Sequence, residues 1–186
     1  MSGTGGTSDR ERLRNLLIEK SVRFGEFTLT SGRKSNHYID AKQTTLDPLG
    51  ARLTASVVLE RLEGVAFDAL GGPTLGADPI LGAAAAESHR RGRPFPVFIV
   101  RKEPKKHGAA RLIEGPLPPG ARVVLMDDVV TTGGSLLRAA RAVEELGCTV
   151  VMLVSLVDRL EAKDPELSRY RYDPVFTAAD LGIETG

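Results

Sequence analysis

Apolar residues along the chain occur either in short unbroken runs or at helical spacing. The run at residues 123–126 contains no polar residue, which is typical of a strand in a parallel sheet covered by helices on both faces. After a polar segment, apolar residues recur at helical spacing at Leu136, Leu137, Ala140, Val143 and Leu146, and Gly147 then provides a stop. The pattern predicts that residues 127–135 join the carboxyl end of a strand to a helix N-terminus.

The rest of the chain also predicts strands and helices. Ser8 and Glu11 have the spacing of a capping box before a first helix, and Asp47-Pro48 is typical of the start of a second. Period-two alternation at residues 24–40 predicts a hairpin. The remaining pattern predicts strands at residues 66–70, 96–100 and 148–157, a glycine-rich turn at 71–79 with a helix after it, a helix within 160–172 and an edge strand at 174–177.

Length and composition narrow the class of protein. With 186 residues the chain is long enough for one well-buried α/β domain and too short for two, so we expect a flexible N-terminus at residues 1–8 and one domain at 9–186. The net charge of +1 argues against a protein that binds nucleic acid through its overall charge. The single cysteine, Cys148, has an apolar context and is expected in the core. No signal peptide and no apolar run of ~18 residues is apparent, so we expect a cytoplasmic protein without membrane contact.

The loop at residues 131–135, here called the Thr-Gly loop, has the composition of a phosphate site. Its sequence Thr-Thr-Gly-Gly-Ser offers unobstructed N–H groups, hydroxyls and the positive end of the following helix dipole. Asp127 and Asp128 are here called the acid pair. Two carboxylates do not bind the same phosphate anion, so their ligands would be sugar hydroxyls, a developing sugar cation or Mg²⁺. Because successive residues of a strand point to opposite faces, the two acids are expected to face opposite sides of the sheet. The alternative is that the acids only cap the helix and the glycines only turn the chain.

Two further features carry charge. Residues 101–114, here called the basic segment, contain five Lys or Arg and His107 against two glutamates, and Pro104 and Gly108 discourage a helix there. Such a segment is either a solvated charge run or a mobile loop that closes over a pyrophosphate. Arg159 follows the predicted strand at 148–157, so it lies at the same sheet edge as the Thr-Gly loop. Its guanidinium group either binds the carboxylate or carbonyl groups of a planar acceptor molecule or forms a surface salt bridge.

The segment 121–135 resembles the phosphoribosyl pyrophosphate (PRPP) signature of the type I phosphoribosyltransferases. With residues 29–40, 100–108, 112–115 and 157–159, the chain from Arg12 to Leu181 resembles the orotate phosphoribosyltransferases. The resemblance implies a single-domain type I fold, with a small N-terminal hood at about residues 9–45 and a core at about 46–186. It also implies transfer of the 5-phosphoribosyl group of PRPP to N1 of orotate, giving orotidine 5′-monophosphate and pyrophosphate in pyrimidine synthesis. The family requires Mg²⁺ and forms homodimers in which the basic loop reaches the partner's active site.

The resemblance also assigns residues. It implies catalytic roles for Lys105, His107, Asp127 and Asp128, with Mg²⁺ bound mainly through PRPP near the acid pair rather than by protein ligands. The implied PRPP contacts are Arg101, Lys102, Lys105, His107, Asp127, Asp128, Val129, Val130, Thr131, Thr132, Gly133, Gly134 and Ser135. The implied orotate contacts are Tyr38, Ile39, Thr131 and Arg159. Many relatives have lysine where this chain has Thr30 and Gly76. Arg33, Lys34 or the backbone at Gly76 are the candidate substitutes.

Two other functions stay open at this point. One is a phosphoribosyltransferase for another nucleobase, which a panel of bases would separate from the orotate enzyme. The other is a regulatory protein of the same fold that senses PRPP and binds RNA or DNA. A regulator should show an extra DNA-binding segment or a broad basic face, and neither is apparent in the sequence.

Overall fold

The computed structural model describes residues 7–28, 34–103, 112–159 and 161–183. Its helices are α1 (Asp9–Ser21), α2 (Lys42–Thr45), α3 (Pro48–Arg61), α4 (Asp78–Arg90) and α5 (Gly134–Glu144), with 3₁₀ turns at Pro165–Arg169 and Ala179–Leu181. Its strands are β1 (Val22–Thr28), β2 (Lys34–Ile39), β3 (Ala69–Pro73), β4 (Val97–Val100), β5 (Ile113–Glu114), β6 (Arg122–Val130), β7 (Thr149–Asp158) and β8 (Tyr172–Thr177). No helix among these described residues is long and apolar enough to cross a bilayer.

Six strands form the central sheet in the order β5-β4-β3-β6-β7-β8. Every neighbouring pair is parallel except β4 and β5, which are antiparallel. The predicted α/β fold with a mostly parallel sheet is therefore confirmed. Because parallel strands share a direction, the carboxyl ends of β3, β4, β6 and β7 meet at one edge of the sheet.

The central strand β6 is buried on both faces, as its unbroken apolar run predicts. Val124 and Met126 pack in one core with residues of α1, α3 and α4. Val123 and Leu125 pack in a second core with residues of α5. The predicted apolar face of α5 is correct except for Leu146, which is 57% exposed because the helix has ended at Glu144.

Three predicted boundaries were wrong. The strand expected at residues 66–70 is β3 (Ala69–Pro73), so Gly71 and Gly72 lie within the strand and not in a turn. The reason is close packing, because a Cβ on Gly71 would lie 2.2 Å from the Phe98 ring and one on Gly72 would lie 2.1 Å from the Met126 carbonyl oxygen. The helix expected within 160–172 is only the 3₁₀ turn Pro165–Arg169. The strand expected to end near Met126 continues to Val130.

The N-terminal part contains the predicted hairpin. Strands β1 and β2 pair antiparallel as a separate sheet, and their turn lies outside the described residues. Ser8 caps α1 by accepting from the Glu11 N–H, and Asp47 caps α3 by accepting from Leu49 and Gly50. Each such cap is worth about 1 kcal/mol. The proposed division into hood and core stays a prediction, and so does the flexible terminus at 1–8, of which residues 1–6 are not described.

Candidate functional site

Strand β6 brings the acid pair to the carboxyl edge of the sheet. Both side chains are buried, with exposures of 7% for Asp127 and 9% for Asp128. They belong to the strand and not to the loop after it, because β6 runs on to Val130. Each carboxylate accepts from the next backbone N–H, Asp127 from Asp128 at 2.9 Å and Asp128 from Val129 at 2.8 Å. These bonds fix the orientation of both side chains.

The two acids face opposite sides of the sheet, as alternation along the strand predicts. Asp127 lies on the α5 side, where the charge of Arg138 acts on it. Burial raises the pKa of Asp127 well above its usual range, and the charge of Asp128 raises this pKa further. Asp127 therefore binds a proton more tightly than an ordinary aspartate does.

Asp128 faces α2 and the turn after β3. The ammonium nitrogen of Lys42 lies 3.8 Å from Asp128 Oδ2 and 2.7 Å from Asp40 Oδ1. Burial lowers the pKa of Lys42, but the hydrogen bond to Asp40 and the charge of Asp128 outweigh it and raise this pKa. Lys42 is a functional candidate that the sequence analysis missed, because only the folded chain brings α2 to this edge.

Gly76 lies directly against Asp128. A Cβ at this position would be 2.1 Å from Asp128 Oδ1. A lysine at position 76 cannot be accommodated while Asp128 keeps its orientation. The positive charge next to Asp128 comes instead from Lys42.

The Thr-Gly loop connects β6 to α5 as predicted. Gly133 is the N-cap residue in a left-handed conformation, with φ +92°, and no side chain caps the helix. The alternative in which the acids cap this helix is therefore wrong. Among the described residues, none accepts a hydrogen bond from the N–H groups of residues 132–135. These N–H groups, like the first N–H groups of any helix, are free to bind an anion.

Any contact from Val129 or Val130 to a ligand would come from the backbone. Their side chains pack in the two opposite cores, Val129 with the α3 side and Val130 with the α5 side. Thr131, Thr132 and Ser135 are not buried, and the Ser135 hydroxyl accepts from Arg138 at 3.0 Å.

The hairpin brings β2 to the same edge. Arg159 Nη2 lies 3.3 Å from His37 Nε2 and 3.3 Å from a carboxylate oxygen of Glu161. Only 11% of the Arg159 side chain is exposed, and its buried Nε has no hydrogen-bond partner among the described residues. Burial lowers the pKa of His37 and the charge of Arg159 lowers it further, so the imidazole is neutral at pH 7 and its Nε2 accepts from Arg159. His37 has no sequence signal beyond its place in the hairpin.

Tyr38 and Ile39 follow His37 on β2. The Tyr38 ring is 43% exposed and lies 5.7 Å from the Phe27 ring, whereas the Ile39 side chain is buried. A contact from Ile39 to a ligand would therefore come from its backbone. The sequence-predicted residues Tyr38, Ile39 and Arg159 are thus carried by adjoining parts of one edge.

The start of the basic segment lies at the end of β4. Arg101 and Lys102 are exposed and line a small cleft of about 60 Å³ together with Ser135 and Arg138. This cleft connects the basic segment to the Thr-Gly loop. Lys105 and His107, and also Thr30 and Arg33, lie outside the described residues.

A larger cleft of about 380 Å³ lies at the opposite end of the sheet. It is lined by residues that precede β3 and β4, including the edge-to-face pair Phe67 and Phe95. None of the candidate residues contributes to this cleft. Among the described residues, no group of three or more His, Cys, Asp or Glu side chains is arranged to bind a metal ion.

Comparison with known proteins identifies the family to which the chain is similar. Residues 55–178 match the phosphoribosyl transferase domain family. The chain is 45% identical to the orotate phosphoribosyltransferase of Pyrococcus furiosus over 153 residues, which is 81% of each chain.

Solved structures of orotate phosphoribosyltransferases have the same fold as this chain. The orotate phosphoribosyltransferase of Mycobacterium tuberculosis superposes with a TM-score of 0.83 and 39% identity, covering 95% of this chain and all of that one (100%). A second crystal structure of the M. tuberculosis enzyme contains PRPP. It has a TM-score of 0.79 and 35% identity, and it covers 95% of this chain and 100% of that one.

Proposed function

The chain belongs to the phosphoribosyl transferase domain family and, within it, to the orotate phosphoribosyltransferases, and from this membership we propose that it transfers the 5-phosphoribosyl group of PRPP to orotate. The bond between the anomeric carbon and pyrophosphate breaks, and pyrophosphate leaves with the electron pair. A new bond forms from the anomeric carbon to N1 of orotate. The products are orotidine 5′-monophosphate, a precursor in pyrimidine synthesis, and pyrophosphate.

The observation that carries the proposal is the meeting of three groups at one sheet edge. These groups are the acid pair on β6, the open N–H groups of the Thr-Gly loop, and Arg159 after β7. A sugar phosphate needs hydroxyl acceptors beside an anion site, and a planar acidic base needs a cationic donor nearby. No other described part of the chain combines the three.

We assign the 5′-phosphate to the Thr-Gly loop and the ribose to the acid pair. The N–H groups of residues 132–135 and the hydroxyls of Thr131, Thr132 and Ser135 donate to the phosphate oxygens. Asp127 and Asp128 accept from the ribose hydroxyls. In the transition state, positive charge develops on the sugar, as in glycoside cleavage, and the nearby carboxylates stabilise it.

Orotate binds between Arg159 and strand β2 in this proposal. The Arg159 guanidinium pairs with the carboxylate or a carbonyl of orotate, while the backbone of Tyr38 and Ile39 and the hydroxyl of Thr131 complete the contacts. The ring nitrogen of orotate loses its proton readily, so the reaction requires no strong general base. For this reason we assign His107 to pyrophosphate and not to proton transfer.

The donor set fits the Mg²⁺ that the family requires. Two carboxylates lie at the edge where the pyrophosphate would enter, and Mg²⁺ in such sites binds one or two carboxylates together with substrate phosphates. Bound mainly through PRPP near Asp127 and Asp128, the ion would neutralise charge on the leaving pyrophosphate. The described cations on this side include Lys42, Arg101 and Lys102.

The basic segment completes the site in this proposal. Arg101 and Lys102 anchor it beside the Thr-Gly loop, and Lys105 and His107 extend over the pyrophosphate of the partner subunit in a homodimer. Closure would exclude water from the reactive sugar. Lys105→Ala should therefore lower kcat much more than it raises the KM for PRPP, and an unchanged kcat would refute the assignment.

Loss of orotate absorbance, dependent on both PRPP and Mg²⁺, tests the function directly. Orotate should be consumed rapidly, and uracil, adenine, guanine and hypoxanthine should not. Rapid turnover of one of the other bases would show a different transferase. Binding of PRPP and nucleic acid without any turnover would show a regulator.

Subunit mixing tests the dimer. In the proposed dimer, each active site combines the acid pair of one subunit with the basic segment of the other. We expect Lys105→Ala to inactivate the second component and Asp128→Asn the first. If the basic segment acts across the dimer, a mixture of the two inactive variants regains activity, because each mixed dimer contains one site with both native halves. A mixture that forms dimers and stays inactive would place the segment in its own subunit's site.

A further inference from the structure

Lys163 makes an unusual set of contacts for a lysine near the surface. Its ammonium nitrogen lies 2.8 Å from the Thr131 carbonyl oxygen, 2.6 Å from Asp158 Oδ1 and 2.9 Å from the Glu161 carbonyl oxygen. An ammonium group has three donors, so each donor has an acceptor. The side chain is 23% exposed and the Asp158 carboxylate is 5% exposed. Lys163 is therefore fixed in position and is not a solvated charge.

The contact to Thr131 is one of three that bind successive carbonyl groups of the loop. The Val130 oxygen accepts from the Arg159 N–H at 3.0 Å, and the Thr132 oxygen accepts from the Asp164 N–H at 2.9 Å. Lys163 binds the oxygen between these two. Arg159, Lys163 and Asp164 thus bind every carbonyl from Val130 to Thr132.

This arrangement determines where the N–H groups point. A trans peptide unit is planar, with its C=O and N–H directed oppositely. When the Thr131 carbonyl points at Lys163, the Thr132 N–H points away from it. In the same way, the Asp164 contact turns the Gly133 N–H away from residues 163–164. Both N–H groups are thereby directed away from the support and remain available to a ligand.

Leu167 closes the same side of the loop. A Cβ on Gly133 would lie 3.0 Å from Leu167 Cδ1, and Leu167 is buried. The loop therefore has a polar support at Thr131 and Thr132 and an apolar one at Gly133. Of the three described contacts to these carbonyls, the one from Lys163 is made by a side chain, so a substitution can remove it without changing the backbone.

We propose that Lys163 is a positioning residue, which holds the Thr131–Thr132 peptide so that the N–H groups of the Thr-Gly loop face the 5′-phosphate. The inference rests on the proposed function for the identity of the phosphorylated sugar. Its action on the loop is independent of which base receives that sugar. Without Lys163, the Thr131–Thr132 peptide is free to rotate, and the loop must be ordered when the phosphate binds.

The rival explanation is that Lys163 only neutralises buried Asp158. A double variant separates the two roles. In Lys163→Met, the loop contact and the neutralising charge are both lost. In Asp158→Asn/Lys163→Met, the negative charge that Lys163 neutralised is removed as well, but the loop contact is still missing. Charge neutralisation predicts recovery in the double variant, and positioning predicts none.

The test measures steady-state kinetics and the binding of ribose 5-phosphate by calorimetry. We expect Lys163→Met to raise the KM for PRPP and the Kd for ribose 5-phosphate about tenfold, the effect of about one charge-assisted hydrogen bond. The KM for orotate should change less than about twofold. The double variant should behave like the single one. An unchanged Kd, or recovery in the double variant, would overturn the proposal.

Two further variants complete the experiment. Lys20→Met removes another lysine that pairs with an aspartate, Asp47, but far from the loop, and it should leave the Kd for ribose 5-phosphate unchanged. Lys163→Arg keeps a cation beside Asp158, and it carries the test if Lys163→Met does not fold. Its planar guanidinium does not match three divergent acceptors, so the Kd should still rise. The Kd for ribose 5-phosphate is measured without turnover. It therefore tests the role of Lys163 even if the protein does not catalyse the orotate reaction.

Discussion

The carboxylate of Asp128 occupies the space beside Gly76, with Oδ1 2.1 Å from where a Cβ would be. The two residues come from different strand ends, Asp128 from β6 and Gly76 from the turn after β3. Any side chain at position 76 must therefore move the acid. This contact links the missing lysine at position 76 to the orientation of a proposed catalytic group.

Gly76→Ala should lower activity by displacing Asp128. A shift of about 1 Å in a catalytic group costs up to about 100-fold, so we expect kcat/KM for PRPP to fall by about 10-fold to 100-fold. Gly82→Ala is the matched control, because a Cβ there, on the exposed side of α4, meets no atom within 4 Å. It should keep full activity and gain stability of roughly 0.5–1 kcal/mol. Equal activity of the two variants would contradict the prediction.

Lys42→Met should weaken PRPP binding. Lys42 is the cation next to Asp128, so its loss leaves Asp40 and Asp128 without their shared partner on the side where pyrophosphate would bind. We expect the KM for PRPP to rise about tenfold, with a smaller effect on the KM for orotate. Lys42→Arg keeps the positive charge, so its KM for PRPP should stay close to that of the native protein.

Lys34→Met is the control for Lys42. Lys34 is an exposed cation at the start of β2 and was a candidate substitute for the missing lysines. We expect its kinetics to be native. A larger effect at Lys34 than at Lys42 would assign the substitute cation to the hairpin instead.

Asp127→Asn should stabilise the protein while it lowers activity. The folded-state pKa of Asp127 is raised, so the folded protein binds this proton more tightly than the unfolded chain does. Stability is therefore lost as pH rises from the usual aspartate pKa through the raised one. Asparagine does not ionise, and its oxygen can still accept from the Asp128 N–H.

Thermal unfolding across pH measures this effect. The Tm of Asp127→Asn should exceed that of the native protein at pH 7, and the difference should disappear in acid. Each 1 kcal/mol gained corresponds to about 2–4 °C in Tm for a chain of this length. The kcat should fall at least about tenfold, because the acid no longer stabilises developing positive charge. A lower Tm at pH 7 would show that the native protein stabilises the charged Asp127 carboxylate, and the prediction would be wrong.

The sequence was sufficient for the parts of the site that are continuous along the chain. The unit of β6, the Thr-Gly loop and α5 follows from an apolar run, glycines and helical spacing, all of which are local signals. Gly71 and Gly72 misled the prediction of β3, because a glycine required by close packing looks the same in sequence as one required by a turn. Local pattern and tertiary packing compete at such positions.

The residues that the sequence did not reveal act through contacts between distant segments. Lys42 reaches Asp128 across 86 positions (128 − 42), and His37 reaches Arg159 across 122. Lys163 contacts Thr131 across 32. A single lysine or histidine in a polar stretch carries no periodic signal, so only the folded chain identifies its partner. The assignments of Lys105 and His107 stay predictions from the sequence.

Arg159→Lys should impair orotate binding selectively. The Arg159 side chain is almost buried, and its Nη2 contacts both His37 and Glu161. Its buried Nε has no hydrogen-bond partner among the described residues, and we expect a planar acid to supply one. Lysine keeps the charge but lacks the fork. We expect the KM for orotate to rise at least about tenfold, with the KM for PRPP changed less than about twofold. Arg141→Lys, which replaces an exposed arginine on α5 that pairs with Glu166, is the matched control and should leave the KM for orotate unchanged. If Arg159→Lys instead raised the KM for PRPP alone, the arginine would belong to the phosphate side of the site, and the proposed position of orotate beside β2 would be wrong.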